Sequence, residues 1–279
     1  MGEAFRTACL IGWPVKHSKS PIIHGHWMEC HGIAGEYRLE EVSPDDFTDF
    51  VTNLAAHGYV GSNVTIPHKE MALAASEPDE RARAVGAANT LWLDNGRLRS
   101  TNTDVEGFVS CLDDQTPGWD ANLENALLLG AGGAARAVAH GLLERGARNA
   151  YVVNRTFPRA VSFQARLGSQ IHPAHWRDVP ALLCEADLIV NATSLGMVGN
   201  PDMEIDLDAA RDDAVVADLV YTPLMTSLLK AAEKRGLRYA DGLGMLLHQA
   251  ARPFELWWGV RPEVTPELRD LVVRALNAG

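Results

Sequence analysis

Short apolar runs recur along the chain, each followed by a turn rich in glycine, asparagine or proline. The runs at 7–11, 59–65 and 126–129 have the length and the side-chain types of buried strands. The stretches 133–145 and 223–234 carry apolar residues three and four positions apart, which is typical of amphipathic helices. Strands that alternate with helices in this way predict an α/β fold with a parallel sheet.

Other patterns predict where individual elements begin and end. Ser20 stands directly before a proline, which predicts that its side chain caps a helix over 21–31. Apolar spacing predicts a second helix over 44–57 and a last one that starts at Met245. An Asn-Gly pair at 95–96 predicts a tight β-hairpin.

Composition narrows the class of protein. The chain has 279 residues, 47% of them hydrophobic, which is enough for two cores of ordinary size. Its 25 Lys and Arg and 36 Asp and Glu give a net charge of −11, which argues against nucleic acid or an anionic membrane as a partner. No apolar stretch is long enough to span a membrane and no secretion signal is visible, so we expect a cytoplasmic protein. Four scattered cysteines and ten histidines without ligand spacing predict free thiols and no metal site.

The glycine turn after the run at 126–129 carries the first chemical signal. Gly130, Gly132 and Ala135 fit the G-x-G-x-x-A pattern of dinucleotide-binding folds. In that pattern the first glycine permits the tight turn, and the second lets the backbone approach a pyrophosphate at a helix N-terminus. Because similar turns join strands to helices without binding anything, the pattern alone leaves a purely structural turn open.

The end of the next strand, at Val153, selects the cofactor. An NAD-binding fold usually has an acidic residue there, which binds the ribose hydroxyl. This chain has Asn154, Arg155 and Thr156 instead, followed by Arg159. Arginine binds a 2′-phosphate by charge-assisted hydrogen bonds, whereas a carboxylate would repel it. The sequence therefore predicts NADP(H) as the cofactor.

Two polar clusters in the first half of the chain indicate a small-molecule site. Ser18 and Ser20 lie at a strand-to-helix junction, where hydroxyls and amides can bind a carboxylate. Asn63 and Thr65 share one face of an extended segment that ends just before Lys69. Both clusters also have plainer explanations, since Ser20 can serve as a helix cap and a lone lysine is most often solvated.

Two further polar groups follow predicted strands. Asp104 precedes a helix predicted over 105–112 and can be its N-cap. Asn191 and Thr193 follow an apolar strand, where they can line the ribose and nicotinamide or belong to an ordinary polar turn.

Nine short motifs follow one another along the chain: HSKSP, NVTIPHK, GAANT, NTD, GAGGAAR, NRTFPRA, NATSLG, DLVYTPLMT and DGLGMLLHQ. In this order they resemble the motifs of the shikimate dehydrogenases, which reduce 3-dehydroshikimate with NADPH. The resemblance extends from about Cys9 to Trp258. Two positions depart from the family pattern, since Val105 stands where many relatives have glycine and Ala88 where valine is common. Val105 can narrow or shift the site beside Asp104, which bears on substrate preference.

The resemblance implies a substrate-binding α/β domain over 1–105 and 245–279, and an NADP-binding Rossmann domain with a parallel sheet over 106–244. It implies that Lys69 and Asp104 form the catalytic pair, in which an ammonium held by a carboxylate protonates the oxygen as hydride arrives. The implied substrate contacts are Ser18, Ser20, Asn63, Thr65, Asn89, Asp104, Tyr221 and Gln249. The implied cofactor contacts are Gly130, Ala131, Gly132, Gly133, Ala134, Asn154, Arg155, Thr156, Arg159, Asn191, Thr193, Leu219 and Gly242.

The expected activity is the reversible, NADPH-dependent reduction of 3-dehydroshikimate in aromatic amino acid biosynthesis. The enzyme would act on a small-molecule substrate as a monomer or homodimer, with neither nucleic acid nor membrane as a partner. An alternative is a quinate/shikimate dehydrogenase, or a paralogue with another substrate. From a different class, a non-catalytic sensor of the same metabolites also stays open, although an intact Lys69 and Asp104 argue against it.

Overall fold

The computed structural model describes residues 5–278, which divide into two compact units. The first unit contains the described residues up to Thr103 together with those from Leu247 onward, and the second is Asp104–Leu246. The divisions predicted from the sequence, after residue 105 and before residue 245, each differ from these by two residues.

Strands and helices are numbered here in chain order within the described residues. The strands are β1 (Arg6–Gly12), β2 (Gly35–Glu41), β3 (Tyr59–Val64), β4 (Glu77–Pro78), β5 (Thr90–Asp94), β6 (Arg97–Thr101), β7 (Asn125–Leu129), β8 (Asn149–Val153), β9 (Ile171–Ala174), β10 (Leu188–Asn191), β11 (Val215–Asp218) and β12 (Arg238–Ala240). The helices are α1 (Ser20–Cys30), α2 (Phe47–Thr52), α3 (Lys69–Ala74), α4 (Glu80–Val85), α5 (Asp104–Gln115), α6 (Gly133–Glu144), α7 (Phe157–Leu167), α8 (Val179–Leu183), α9 (Ser227–Arg235), α10 (Gly242–Trp258) and α11 (Pro266–Asn277). Short 3₁₀ turns lie at Trp176–Asp178 and Leu207–Ala209.

A mixed sheet forms the centre of the first unit. Among the described residues it has six strands in the order β2-β1-β3-β5-β6-β4. Strand β1 is parallel to β2 and β3, whereas β5 is antiparallel to β3 and β6. The predicted hairpin at 95–96 is confirmed, because Asn95 and Gly96 have φ of 50° and 79°, as a type I′ turn requires.

The second helix is shorter than predicted. The expected span of 44–57 is reduced to α2 because tighter turns form at both ends. Before the helix, the Ser43 hydroxyl donates to the Asp46 carboxylate at 2.6 Å. After it, the Leu54 amide donates to the Val51 carbonyl, three residues back, so the regular α-helical spacing ends there.

The predicted N-cap of the first helix is also wrong. Ser20 is the first residue of α1, and Lys19 occupies the cap position without a side-chain hydrogen bond. The Ser20 hydroxyl instead accepts a hydrogen bond from the Ser18 hydroxyl at 3.1 Å. Ser18 therefore stabilises the turn before the helix, because its hydroxyl oxygen accepts the Ser20 amide at 3.2 Å.

An aromatic cluster fills one side of the first unit. His24 lies at its centre and contacts the rings of Trp27, Tyr37, Phe254, Trp257 and Trp258. Phe254 and the last two of these tryptophans belong to α10, so this helix is packed onto the sheet by aromatic burial. Aromatic pairs of this kind bury large areas and add to the energy of the core.

The second unit contains the predicted parallel sheet. Within the described residues its six strands lie in the order β12-β11-β10-β7-β8-β9, and every neighbouring pair is parallel. Ala126 and Leu128 pack into one core while Leu127 and Leu129 pack into another, so β7 is buried on both faces. The chain reverses its direction of travel across the sheet at β7. In such sheets ligands bind at the carboxyl ends of the strands beside that reversal.

Two helix starts in the second unit differ from the prediction. Helix α9 begins at Ser227 rather than at residue 223, because the Thr226 hydroxyl caps it by accepting the Leu229 amide at 3.3 Å. Helix α10 begins at Gly242 rather than Met245. Its first amides are held by the Asp241 carboxylate, which accepts the Leu243 amide at 3.0 Å.

Candidate functional site

The turn after β7 depends on one glycine. Gly130 has φ of +113°, in the left-handed region that favours glycine, and its amide donates to the Val153 carbonyl at 2.7 Å. A Cβ atom at this position would lie 2.8 Å from the Ala192 carbonyl oxygen. Any side chain here would therefore push apart the turn and the loop after β10.

The residues after Gly130 leave open space at the start of α6. Gly132 and Gly133 are exposed, and a Cβ atom built on either would meet no atom within 4 Å. Ala135, by contrast, is fully buried against the sheet. The Ala131 amide is bonded to the Asn154 side chain at 3.2 Å, which leaves the amides from Gly132 to Ala134 at the helix N-terminus. This cradle fits a pyrophosphate, because a helix N-terminus favours an anion and no side chain fills the space.

Two exposed arginines follow β8. Arg155 lies directly after Asn154, whose side-chain amide donates to the Thr156 carbonyl at 3.0 Å and shapes the turn. Arg159 lies in the first turn of α7. In the part of the chain that the structure describes, neither arginine forms an ion pair with a carboxylate. No carboxylate among residues 5–278 therefore neutralises their charge, which suits a second phosphate group.

Asn191 and Thr193 lie in a compact polar turn at the end of β10. The Asn191 side chain is fully buried, and its amide donates to the Asp218 carboxylate at 2.9 Å and to the Leu195 carbonyl at 3.0 Å. Its oxygen accepts the Thr193 hydroxyl at 2.7 Å. The hydrogen bonds of Asn191 thus shape the loop, while Thr193 is the partly exposed member.

Asp218 is a buried acid that sequence reasoning did not identify. Besides Asn191, its carboxylate accepts the Thr226 hydroxyl at 2.7 Å and the Val220 amide at 2.9 Å. Burial raises the pKa of Asp218, and these three donors oppose the shift. The acid therefore ties the loops after β10 and β11 together. The sequence signals were its position at the end of an apolar strand and at the start of the motif DLVYTPLMT, and neither of them named its partners.

The backbone after β11 lies against the end of β10 and against Gly242. The Leu219 amide donates to the Asn191 carbonyl at 2.9 Å, and a Cβ atom on Gly242 would lie 2.4 Å from the Leu219 oxygen. Gly242 is thus required for close backbone approach. Tyr221 is partly buried, and burial raises the pKa of its phenol, which therefore stays protonated at neutral pH.

In the first unit, hydrogen bonds tie the residues around the end of β3 to β1 and to the segment before β5. The Thr65 amide donates to the Ile11 carbonyl at 2.9 Å, and the Ala88 amide donates to the Lys69 carbonyl at 2.9 Å. Asn63 is buried, and its side-chain amide donates to the Asn89 carbonyl at 3.3 Å. Three predicted substrate residues and the predicted catalytic lysine are therefore brought into one connected region of this unit.

His68 fixes the backbone directly before Lys69, and sequence reasoning missed it. Its ring is fully buried, stacks on Phe47 with centroids 4.6 Å apart, and is bonded through Nε2 to the Val42 carbonyl at 2.8 Å. Burial lowers the pKa of His68, so the ring is neutral and donates from Nε2. Lys69, half-buried, then begins α3.

The remaining predicted residues lie on helices. Asp104 is the first residue of α5 and only 6% exposed. Just before it, the Asn102 side chain donates to the Ala87 carbonyl at 2.9 Å and anchors the start of the helix. Gln249 lies on α10 and is partly buried.

Residues 5–278 contain neither a metal-binding cluster nor a membrane-spanning helix. No group of three His, Cys, Asp or Glu side chains there is arranged to hold a metal ion. None of the helices in that range is both long and apolar enough to cross a membrane. All four cysteines lie in the same range and are free thiols.

Known proteins resemble the chain over nearly all of its length. Residues 10–91 match the family model of the shikimate dehydrogenase substrate binding domain, and residues 114–220 match that of shikimate / quinate 5-dehydrogenase. The shikimate dehydrogenase (NADP(+)) of Rhodopseudomonas palustris strain TIE-1 is 58% identical over 272 residues, which cover 98% of each chain.

Two solved structures share the fold, one in complex with NAD and the other with NADP(H). Quinate dehydrogenase from Corynebacterium glutamicum, in complex with NAD, aligns with a TM-score of 0.89 and 30% identity, covering 97% of this chain and 100% of that one. Shikimate 5-dehydrogenase from Thermus thermophilus, in complex with NADP(H) and shikimate, aligns with a TM-score of 0.84 and 32% identity, covering 97% and 99%.

Proposed function

The chain belongs to the shikimate dehydrogenase family, and we propose that it catalyses the reversible, NADP-dependent reduction of 3-dehydroshikimate to shikimate. The observation that carries the choice of cofactor is the end of β8, where Arg155 and Arg159 are exposed and no acidic residue follows the strand. The product is a precursor of the aromatic amino acids. We infer a cytoplasmic enzyme that works as a monomer or homodimer.

The second unit would hold the cofactor, which supplies the hydride when bound. The amides at the start of α6 would bind the pyrophosphate, and Arg155 and Arg159 would bind the 2′-phosphate. Thr193 and Leu219 would contact the ribose and nicotinamide end. The full set assigned to the cofactor is Gly130, Ala131, Gly132, Gly133, Ala134, Asn154, Arg155, Thr156, Arg159, Asn191, Thr193, Leu219 and Gly242.

Lys69 and Asp104 would form the acid–base pair. Reduction of a ketone leaves negative charge on oxygen, and the Lys69 ammonium would donate the proton that neutralises it. Asp104 would keep that lysine charged and oriented. Stable anchoring of the preceding residue, His68, supports this role because a proton donor must be held within hydrogen-bond reach.

Short polar side chains would bind the substrate ring and its carboxylate. The assigned residues are Ser18, Ser20, Asn63, Thr65, Asn89, Asp104, Tyr221 and Gln249. A site that pairs every hydroxyl rejects analogues that lack one, because its own buried groups would then be left without partners. The hydrogen bonds of Asn63 to the protein suggest that it acts partly by orienting Asn89.

Initial rates with shikimate and quinate, each with NADP and with NAD, test the proposal. We expect strong preference for shikimate with NADP. Preference for quinate or for NAD would keep the fold and the acid–base pair but make the chain a quinate/shikimate dehydrogenase or a paralogue. Absence of turnover with all four pairs, together with binding of shikimate, would identify a sensor instead.

A further inference from the structure

A chain of side-chain hydrogen bonds runs through the substrate-binding region of the first unit. In order, it contains Tyr37, Asn63, Thr90, Asn89 and Thr103. Tyr37, Thr90 and Thr103 belong to none of the contact assignments made above from the motifs. We propose that Tyr37 is a positioning residue for substrate recognition, an inference that rests on the function proposed above.

Tyr37 is held in one orientation. Its side chain is 6% exposed, and its ring stacks on His24 with centroids 4.1 Å apart and planes 9° from parallel. Burial, chiefly, raises the pKa of Tyr37, and the nearby Ser20 hydroxyl opposes the shift. The phenol is therefore a protonated donor at neutral pH, and it donates to the Asn63 side chain.

The bonds from the Tyr37 hydroxyl to Asn89 all run in one direction. It donates to the Asn63 side-chain oxygen at 2.7 Å, so the Asn63 amide must point the other way. That amide donates to the Thr90 hydroxyl at 3.1 Å, and the Thr90 hydroxyl in turn donates to the Asn89 side-chain oxygen at 3.1 Å. The same Asn89 oxygen accepts the Thr103 amide at 2.8 Å.

Thr103 fixes the orientation of Asn89 at the end of this series. The Asn89 oxygen accepts the Thr103 amide as well as the Thr90 hydroxyl, and the Asn89 amide donates to the Thr103 hydroxyl at 3.1 Å. Tyr37 therefore acts first on Asn63. Without the Tyr37 hydroxyl, the buried Asn63 oxygen loses its partner, and Asn63 is left with the bonds of its amide to the Asn89 carbonyl and the Thr90 hydroxyl. Asn63, which is itself assigned to the substrate, would then shift, although Tyr37 need not touch the substrate.

Tyr37→Phe removes the hydroxyl and keeps the stacked ring. We expect the KM for shikimate to rise about 5- to 150-fold, the range given by stranding one buried acceptor. The kcat should change less than about threefold, and the KM for NADP less than about twofold. Calorimetric titration with shikimate should show the same loss of affinity without requiring turnover. A role in folding alone would lower stability and leave KM unchanged.

Matched variants separate positioning from packing. Tyr59→Phe removes another buried phenol from the same sheet, one that bonds Glu40, and should leave the KM for shikimate unchanged. Tyr59 begins β3, about 13 Å along the strand from Asn63. Thr90→Val removes the next hydroxyl of the chain and should reproduce the rise in KM, whereas Thr90→Ser keeps the hydroxyl and should restore it.

A folded Tyr37→Phe protein with KM and shikimate affinity within about twofold of the wild type would overturn the inference. If that variant does not fold, an unchanged KM in Thr90→Val overturns it equally. Wild-type protein that neither oxidises nor binds shikimate would defeat the proposed function and, with it, this inference. Active wild type with unaffected variants would defeat the inference alone.

Discussion

Replacing His24 with phenylalanine should remove a large part of the pH dependence of folding stability. The imidazole is fully buried in the aromatic cluster, and neither ring nitrogen has a hydrogen-bond partner among the residues that the structure describes. Burial lowers its pKa from 6.5 to about 3, because the charged form would lose its hydration. The nearby Asn63 side chain opposes this shift only in part. Phenylalanine keeps the stacking on Tyr37 but cannot bind a proton.

The sign of the effect follows from which state binds the proton. Well above pH 6.5, His24 is neutral in both the folded and the unfolded chain. Below that pH the unfolded chain is protonated while the folded chain stays neutral down to about pH 3. The free energy of unfolding therefore falls by about 1.4 kcal/mol per pH unit in this window. Between about pH 7 and pH 5 the loss is about 2 kcal/mol, and it reaches about 4 kcal/mol near pH 3.

Urea unfolding at about pH 7, 6 and 5 measures this directly. Other groups also titrate, His68 among them, so the informative quantity is the difference between wild type and His24→Phe at each pH. That difference should shift in favour of the variant by about 2 kcal/mol from pH 7 to pH 5. His31→Gln is a suitable control, since His31 is exposed at the end of the same helix. If the difference between wild type and His24→Phe stays constant across the three pH values, His24 does not titrate as argued.

Three further predictions concern the proposed chemistry. Arg155→Ala should weaken NADPH about 10- to 150-fold, as loss of a charged hydrogen bond implies, with NADH nearly unchanged; equal losses in a fluorescence titration would contradict the cofactor assignment. Lys69→Ala should lower kcat about 10²- to 10⁴-fold, or about 3 to 5.5 kcal/mol, and a stopped-assay kcat within about threefold of wild type would exclude it as the acid. Asp218→Asn should lower the free energy of unfolding by about 1.5 to 3 kcal/mol and raise the KM for NADP, because the asparagine amide offers one oxygen to three hydrogen-bond donors. Unchanged values of both would show that the buried carboxylate is not needed.

The strand-turn-helix around the glycine motif could be predicted because its determinants are local. The apolar run before Gly130, the left-handed φ at that residue and the small buried Ala135 all lie within about ten positions. Helix ends were harder to predict. Ser20 was predicted to cap its helix and does not, whereas Thr226, which lies inside the helix predicted over 223–234, accepts an amide from its helix, because capping depends on where the preceding backbone turns.

The residues that hold the site together escaped prediction for a different reason. Tyr37 bonds Asn63, 26 positions away, and Asp218 bonds Asn191, 27 positions away. Both Tyr37 and Asp218 lie in strands, and neither the strand pattern nor, for Asp218, the motif DLVYTPLMT shows which side chain each of them bonds. Sequence motifs thus identify the groups proposed to meet the ligands. The partners that orient those groups become visible only when the sheet brings distant strands side by side.

The energy of buried polar groups explains why ligand-facing side chains need partners that orient them. An amide or a carboxylate that must face a ligand in one orientation has to be fixed by other hydrogen bonds, and leaving one of them unmade costs about 1 to 3 kcal/mol. One residue in each unit satisfies that requirement. Tyr37 donates to the side-chain oxygen of Asn63, and Asp218 accepts from the side-chain amide of Asn191. A residue need not touch a ligand to be required for binding, and at these two positions we expect the hydroxyl and the carboxylate to matter more than the apolar surface that the two residues bury.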